Sequence, residues 1–168
     1  MGLFDIFKSK DKNDPGDHAP PGKKIVVVDD IYMITVPQEW NQFESDRFRM
    51  QNADGSVRLS ISNYGKEGTD EDFSIEDLKA QMLPMLKKFV TEGGYESLND
   101  LEIGGNYIYQ TFKVDEETQY YFYTWRNVRQ SQLVISAFCV RAIGPFSQQM
   151  KDTLKATGES IMHKISYR

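Results

Sequence analysis

Cys139 is the one cysteine of the chain, and His18 and His163 are its two histidines, so nucleophilic or metal chemistry has few places to start. A catalytic thiolate needs a base and an accessible, electropositive site. Cys139 instead lies in the apolar run L-V-I-S-A-F-C-V, which reads as a buried strand and a structural thiol. His163 lies two residues from both Ile161 and Ile165, off the apolar stripe of a C-terminal helix, and reads as a solvated imidazole. His18 sits in a polar linker with no second histidine beside it. The run from Asp11, D-K-N-D-P-G, touches the calcium-loop pattern at Asp11, Asn13 and Gly16, but Pro15 takes a ligand position and Gly22 stands where a bidentate Glu belongs. Glu67, Asp70, Glu71 and Asp72 offer carboxylates to a cation or a basic partner. Their glycine-flanked loop suits a solvated segment better than a fixed cage. The chain has no G-x-G-x-x-G, Walker loop, H-E-x-x-H, G-x-S-x-G or C-x-x-C, and Gly104-Gly105 reads as a turn. No catalytic, metal or cofactor-binding residue is assigned, no cofactor is expected, and the reading is not that of an enzyme.

The whole-chain numbers narrow the classes further. Lys plus Arg at 20 against Asp plus Glu at 25 leaves a net charge of -5, which argues against nucleic acid as the partner. Hydrophobic residues at 39% and charged residues at 27% fit a globular chain, and 168 residues fit one domain. A single cysteine suits a reducing compartment, so a cytoplasmic location is expected. Residues 1–23 are expected to be a flexible tail, and 24–168 the domain. Leu3, Phe4, Ile6 and Phe7 ahead of Lys8, Lys10 and Lys12 form a short amphipathic start. Peripheral membrane or partner contact through residues 1–12 is one reading of it, and a frayed terminus is the expected one.

The elements that must position any site follow from periodicity. Ile25–Val28 and Ile31–Val36 read as strands around Asp29-Asp30, and Pro37 ends the second. Phe48 and Met50 alternate with Arg47, Arg49 and Gln51, while Val57, Leu59 and Ile61 alternate with Arg58, Ser60 and Ser62. A two-residue type I′ turn at Asp54-Gly55 sets Met50 opposite Leu59 and Phe48 opposite Ile61, which puts every large apolar side chain on one face. Ser74 and Asp77 form a near capping box for a helix carrying Ile75, Leu78, Met82, Met85, Leu86 and Phe89. Pro84 is expected to kink that helix and Gly93-Gly94 to stop it. A meander of strands at 98–103, 106–114, 119–128 and 132–140 follows, and then a last helix with Phe146, Met150, Leu154, Ile161 and Ile165 on one stripe. Long neighbouring strands joined by short loops must be antiparallel, so the expected fold is α+β, with an antiparallel sheet of about six or seven strands and helices packed on it.

Particular stretches carry a resemblance. V-P-Q-E-W at Val36–Trp40 closes a strand and is followed by N-Q-F-E-S-D-R-F-R-M and D-G-S-V-R-L-S-I-S. After the helix come I-G-G-N-Y-I-Y, the aromatic strand Y-Y-F-Y-T-W, the apolar strand L-V-I-S-A-F and the last helix. Over about residues 24–168 this element order resembles the Mog1/PsbP-like fold families, including small bacterial DcrB-like proteins. The resemblance implies an α/β sandwich and a non-catalytic accessory or binding role beside larger assemblies, immunity-like in some bacterial members. It transfers no binding residue, because the partners of such proteins use different surfaces.

The aromatic strands sort onto two faces. A D-E-E-T loop sets Phe112 opposite Tyr121, and an R-Q-S loop sets Cys139 opposite Tyr121. One face then holds Ile108, Phe112, Tyr121, Tyr123, Trp125, Ile135, Ala137 and Cys139. The other holds Tyr107, Tyr109, Tyr120, Phe122, Val134 and Phe138 with Lys113, Thr124 and Arg126. Trp40 is expected to pin its corner to the core. Both faces need cover from helices or the N-terminal hairpin. Tyr107, Tyr109, Tyr120, Phe122 and Arg126 are the candidate surface for an unidentified protein partner, with Asp70, Glu71 and Asp72 as a second. The competing reading is that the last helix covers the aromatic face, and accessibility of Tyr107, Tyr109 and Tyr120 decides between them. A carrier of a small molecule or lipid, with a cavity between sheet and helices, is the alternative function.

Overall fold

Strict alternation at Phe48–Gln51 and Val57–Ser62 makes a strand pair with one apolar face, and the chain pairs there in the expected register, Phe48 with Ile61 and Met50 with Leu59. The turn differs from the expected one. Gly55 alone has positive φ, at 73°, so the turn is not type I′. Instead the Asp54 carboxylate accepts hydrogen bonds from the Ser56 amide at 3.0 Å and its hydroxyl at 2.6 Å, an Asx turn that closes a longer loop without shifting the pairing. The two successive positive φ values fall at Asp29 and Asp30, 49° and 57°, in the first hairpin.

The computed structural model describes residues 19–43, 45–67, 73–128, 132–163 and 166–167. Among the described residues the fold is α+β, with two antiparallel sheets and two helices. Strands β1 (Lys23–Val28), β2 (Tyr32–Pro37) and β11 (Ser166–Tyr167) form a small sheet in the order β1-β2-β11. The large sheet contains β3 (Asn41–Gln42), β4 (Phe48–Gln51), β5 (Val57–Glu67), β6 (Glu96–Ser97), β7 (Glu102–Gly104), β8 (Tyr107–Val114), β9 (Glu117–Val128) and β10 (Gln132–Ile143). Its order is β3-β4-β5-β10-β9-β8-β6, with β7 also on β8. The expectation of one sheet is thereby corrected. The first hairpin pairs with the chain end, and β3, β6 and β11 are two-residue strands too short for any periodicity to mark.

Helix α1 (Ile75–Thr91) starts on the expected capping box. The Ser74 hydroxyl accepts from the Asp77 amide at 3.3 Å, and the Asp77 carboxylate accepts from the Ser74 amide at 2.8 Å. It continues through Pro84, whose ring faces out. Helix α2 (Gln148–His163) lies on the opposite face of the sheet. Two cores result. Under α1, Leu78, Met82 and Leu86 pack on Ile108, Phe112, Tyr123 and Ile135. Under α2 and the β1–β2 hairpin, Leu154, Ile161, Tyr32 and Ile34 pack on Tyr120, Phe122, Phe138 and Leu59, and Trp40 is buried here as expected. Fully burying each large aromatic ring contributes roughly 1.5–3 kcal/mol, so these two layers supply most of the drive to fold.

The β8–β9 register differs from expectation in a way that leaves the faces intact. Val114 pairs with Glu117 across a tight two-residue turn with Asp115 at φ 50°, so Ile108 meets Tyr123 and Phe112 meets Gln119. The shift is an even number of residues, and side chains therefore keep their sides.

Candidate functional site

The aromatic face proposed from the sequence is core. Tyr107 is 6% exposed, and Tyr120 and Phe122 are fully buried, so three of its four rings are closed to a partner. Phe122 stacks on Phe138 with centroids 4.7 Å apart, and the cause of the burial is Gly158 in α2. A Cβ there would stand 2.5 Å from Tyr120 Cε1 and 3.0 Å from Phe122 Cε1, so only glycine lets the helix axis come this close. Burial raises the Tyr107 and Tyr120 hydroxyls and favours their neutral forms. Tyr109 alone stays half-buried, with Lys155 Nζ 5.2 Å from its ring centre. Arg126 is half-buried further along β9. The sequence-proposed acids Asp70, Glu71 and Asp72, and residues 1–18, lie outside the described residues.

Cys139 is sealed in the sheet. Its Sγ lies 3.9 Å from the Gln119 side-chain oxygen, and burial pushes the thiol up to about 11, against the smaller opposing pull of Arg141. At neutral pH it is a protonated, weakly nucleophilic group. Among the described residues no group of His, Cys, Asp and Glu is placed to hold a metal ion, and no helix is long and apolar enough to cross a membrane.

A different surface emerges from the strand order. On the face that α1 packs against, the helix lies over β8 and β9, and among the described residues it leaves β4, β5 and the end of β10 without a helix over them. Registry fills that bare half with arginines. Arg49 is opposite Ser60, Ser60 opposite Cys139, and Arg58 opposite Arg141, so Arg49, Arg58 and Arg141 share one side of three adjacent strands. Arg47 follows the same alternation at the start of β4, and Tyr64, 52% exposed, closes the row on β5. The nearby carboxylates sit at ion-pair rather than hydrogen-bond distance. Asp46 is 3.8 Å from both Arg47 Nη2 and Arg49 Nη2, and Glu117 is 3.9 Å from Arg141 Nη1. A hydrogen bond from Ser45, helped by the two arginines, holds the Asp46 carboxyl below its usual range.

Sequence reasoning had already put Arg47, Arg49 and Arg58 on the side away from the apolar residues. It missed their convergence because the β5–β10 pairing joins strands with a helix and four strands between them, and because Arg141 lies one residue beyond the expected end of its strand. The available signal was the hairpin alternation itself, extended by two residues past Cys139. No family model matches the chain, and no curated protein matches it.

Proposed function

We propose that this protein is a non-catalytic, cytoplasmic binding or accessory module that receives a protein partner on the bare half of its large sheet. One observation carries the reading: a tyrosine and four arginines occupy a sheet face that α1 leaves uncovered. Tyrosine and arginine are the side chains most enriched among interface anchors. The sealed, protonated Cys139 adds support by taking the one thiol out of nucleophilic work. The element order suits a Mog1/PsbP-like sandwich, whose resemblance carries the same accessory role. Capture from a native extract with the full chain tests it, comparing wild type with Tyr64→Ala/Arg58→Glu and with Lys88→Glu on the exposed side of α1. Loss of one captured protein in the first variant and retention in the second is expected. Equal capture by all three chains would sink the reading.

A second reading, a carrier of an apolar molecule, draws on a cleft of about 500 Å³ between α1 and the β6–β7 segment, lined by Leu83, Leu86, Val90 and Leu101 and flanked by Lys79 and Lys87. A ligand that copurifies and is seen by native mass spectrometry would favour it.

A further inference from the structure

Within the bare half, Arg49, Arg58 and Arg141 line a cleft of about 60 Å³ together with Phe43, Leu59 and Ser60. Two features separate this cleft from an ordinary exposed basic patch. The first is burial of donors: Arg49 Nε and Arg141 Nε are both shielded from solvent and have no hydrogen-bond partner among the described residues. Leaving a buried donor unpaired is costly, more so on a charged group, and both of these donors belong to arginines that line the one small cleft. The second is local charge. Asp46 and Glu117 approach only the Nη ends of Arg49 and Arg141, and Arg58 spends its Nε on the Gly55 carbonyl at 3.3 Å. Among the described residues, three guanidinium groups thus face two carboxylates, in a chain whose net charge is -5.

Size fixes the class of occupant. One water needs roughly 10–15 Å³ of such space, so about 60 Å³ takes a few waters or one small oxyanion group, and is too small for a nucleotide or a sugar ring. The planar fork of an arginine matches two oxygens of a carboxylate or phosphate, and the Phe43 ring beside the arginines strengthens such bonds by excluding water. We propose that this cleft is a binding site for a single small oxyanion group, held by Arg49, Arg58 and Arg141. The group is a carboxylate or phosphate oxygen cluster, supplied as a free ion or on an acidic side chain of a docked chain. The site stands on its own geometry and does not require the protein-partner reading.

Arginine Nε–Hε resonances of the full ¹⁵N-labelled chain test this directly. Sodium phosphate is added against sodium chloride at matched ionic strength, and a tetraglutamate peptide is added in a separate arm. Saturable shifts of the Arg49 and Arg141 signals with phosphate are expected, with affinity falling about tenfold in Arg58→Gln, the loss that follows from removing one charge-assisted hydrogen bond. Arg58 is exposed, so this variant keeps the fold even where Arg141→Gln does not. Arg58→Lys should recover only part of the affinity, because the charge returns without the fork. Saturation by phosphate alone identifies a free ion, and saturation by the peptide identifies a protein carboxylate. Shifts that are equal in chloride and phosphate with no response to the peptide, or a response unchanged in Arg58→Gln, would overturn the proposal.

Discussion

The two halves of the face that carries α1 belong to one sheet yet behave as different surfaces. Over β8 and β9 the side chains are Ile108, Phe112 and Tyr123, all fully buried, and the helix sits there. Over β4, β5 and the end of β10 they are Arg49, Arg58, Ser60, Ser62 and Arg141, and among the described residues no helix covers them. Backbone pairing is continuous across the boundary, so the sheet itself does not choose. The choice lies with the side chains: α1 gains apolar burial on one half and would have to strip water from guanidinium groups on the other. A face that is structurally complete without cover is where binding chemistry is free to sit.

The largest expected effect breaks the comparison on the covered half. Phe112 is fully buried and meets Phe89, Tyr95 and Tyr121 at centroid distances of 5.9, 5.8 and 5.9 Å. Phe112→Ala should cost about 3–5 kcal/mol by lost transfer energy and the cavity left behind, read as a fall in the urea midpoint. A loss under about 1 kcal/mol would show that α1 is not held by this layer.

At the seam between the halves lies Cys139, and here the sign of a pH effect is set. Its thiol ordinarily titrates at 9.0 and is pushed up to about 11 by burial, so the folded state holds the proton more tightly than the unfolded chain. Stability from this group is full below 9.0 and is lost as pH rises through about 11. Two units correspond to a loss on the order of 3 kcal/mol. Burial raises Tyr120, Tyr121 and Tyr123 as well, in the same direction. Urea unfolding followed from pH 8 upward should show a slope above pH 9 that is shallower in Cys139→Ala. An identical slope in both proteins would place the alkaline transition on the tyrosines alone.

The opposite face gives a smaller test of close packing. Gly158→Ala puts a methyl 2.5 Å from Tyr120 Cε1, and relief requires α2 or the ring to move. About 1–3 kcal/mol of destabilisation is expected, the range for overpacking a filled core, measured as a lowered Tm. This is the reverse of the small gain that Gly→Ala gives at an open helix position.

How much of this was legible in the sequence follows from range. The hairpin at Phe48–Ile61, the Ser74–Asp77 cap and the sorting of aromatic residues onto two faces depend on neighbours in the chain, and each was readable from spacing. The β8–β9 register was displaced because D-E-E-T was read as the loop, whereas Asp115 adopts positive φ and tightens the turn. Which aromatic face α2 covers turns on Gly158, and a lone helical glycine does not announce which ring it meets. The arginine cleft needed the β5–β10 pairing, whose partners are about 80 residues apart, as Leu59 and Val140 are. Alternation gives the side of a strand, never its neighbour.

The smallest expected effect lies on the bare half and sharpens the contrast most. Arg58 is exposed, and it donates a hydrogen bond to the Gly55 carbonyl at 3.3 Å, in the turn beside it. Tyr64 is half-exposed and belongs to neither core. Replacing either by Ala should change stability by no more than about 0.5 kcal/mol, because neither packs a core nor leaves a buried partner behind. Arg58→Ala should even relieve repulsion with Arg141, the residue directly opposite it in the pairing. Urea midpoints of the two variants equal to wild type, beside the fall in Phe112→Ala, would mark the row as dispensable for folding. A loss of 2 kcal/mol or more would instead make it part of the scaffold and remove the reason to look for a ligand there.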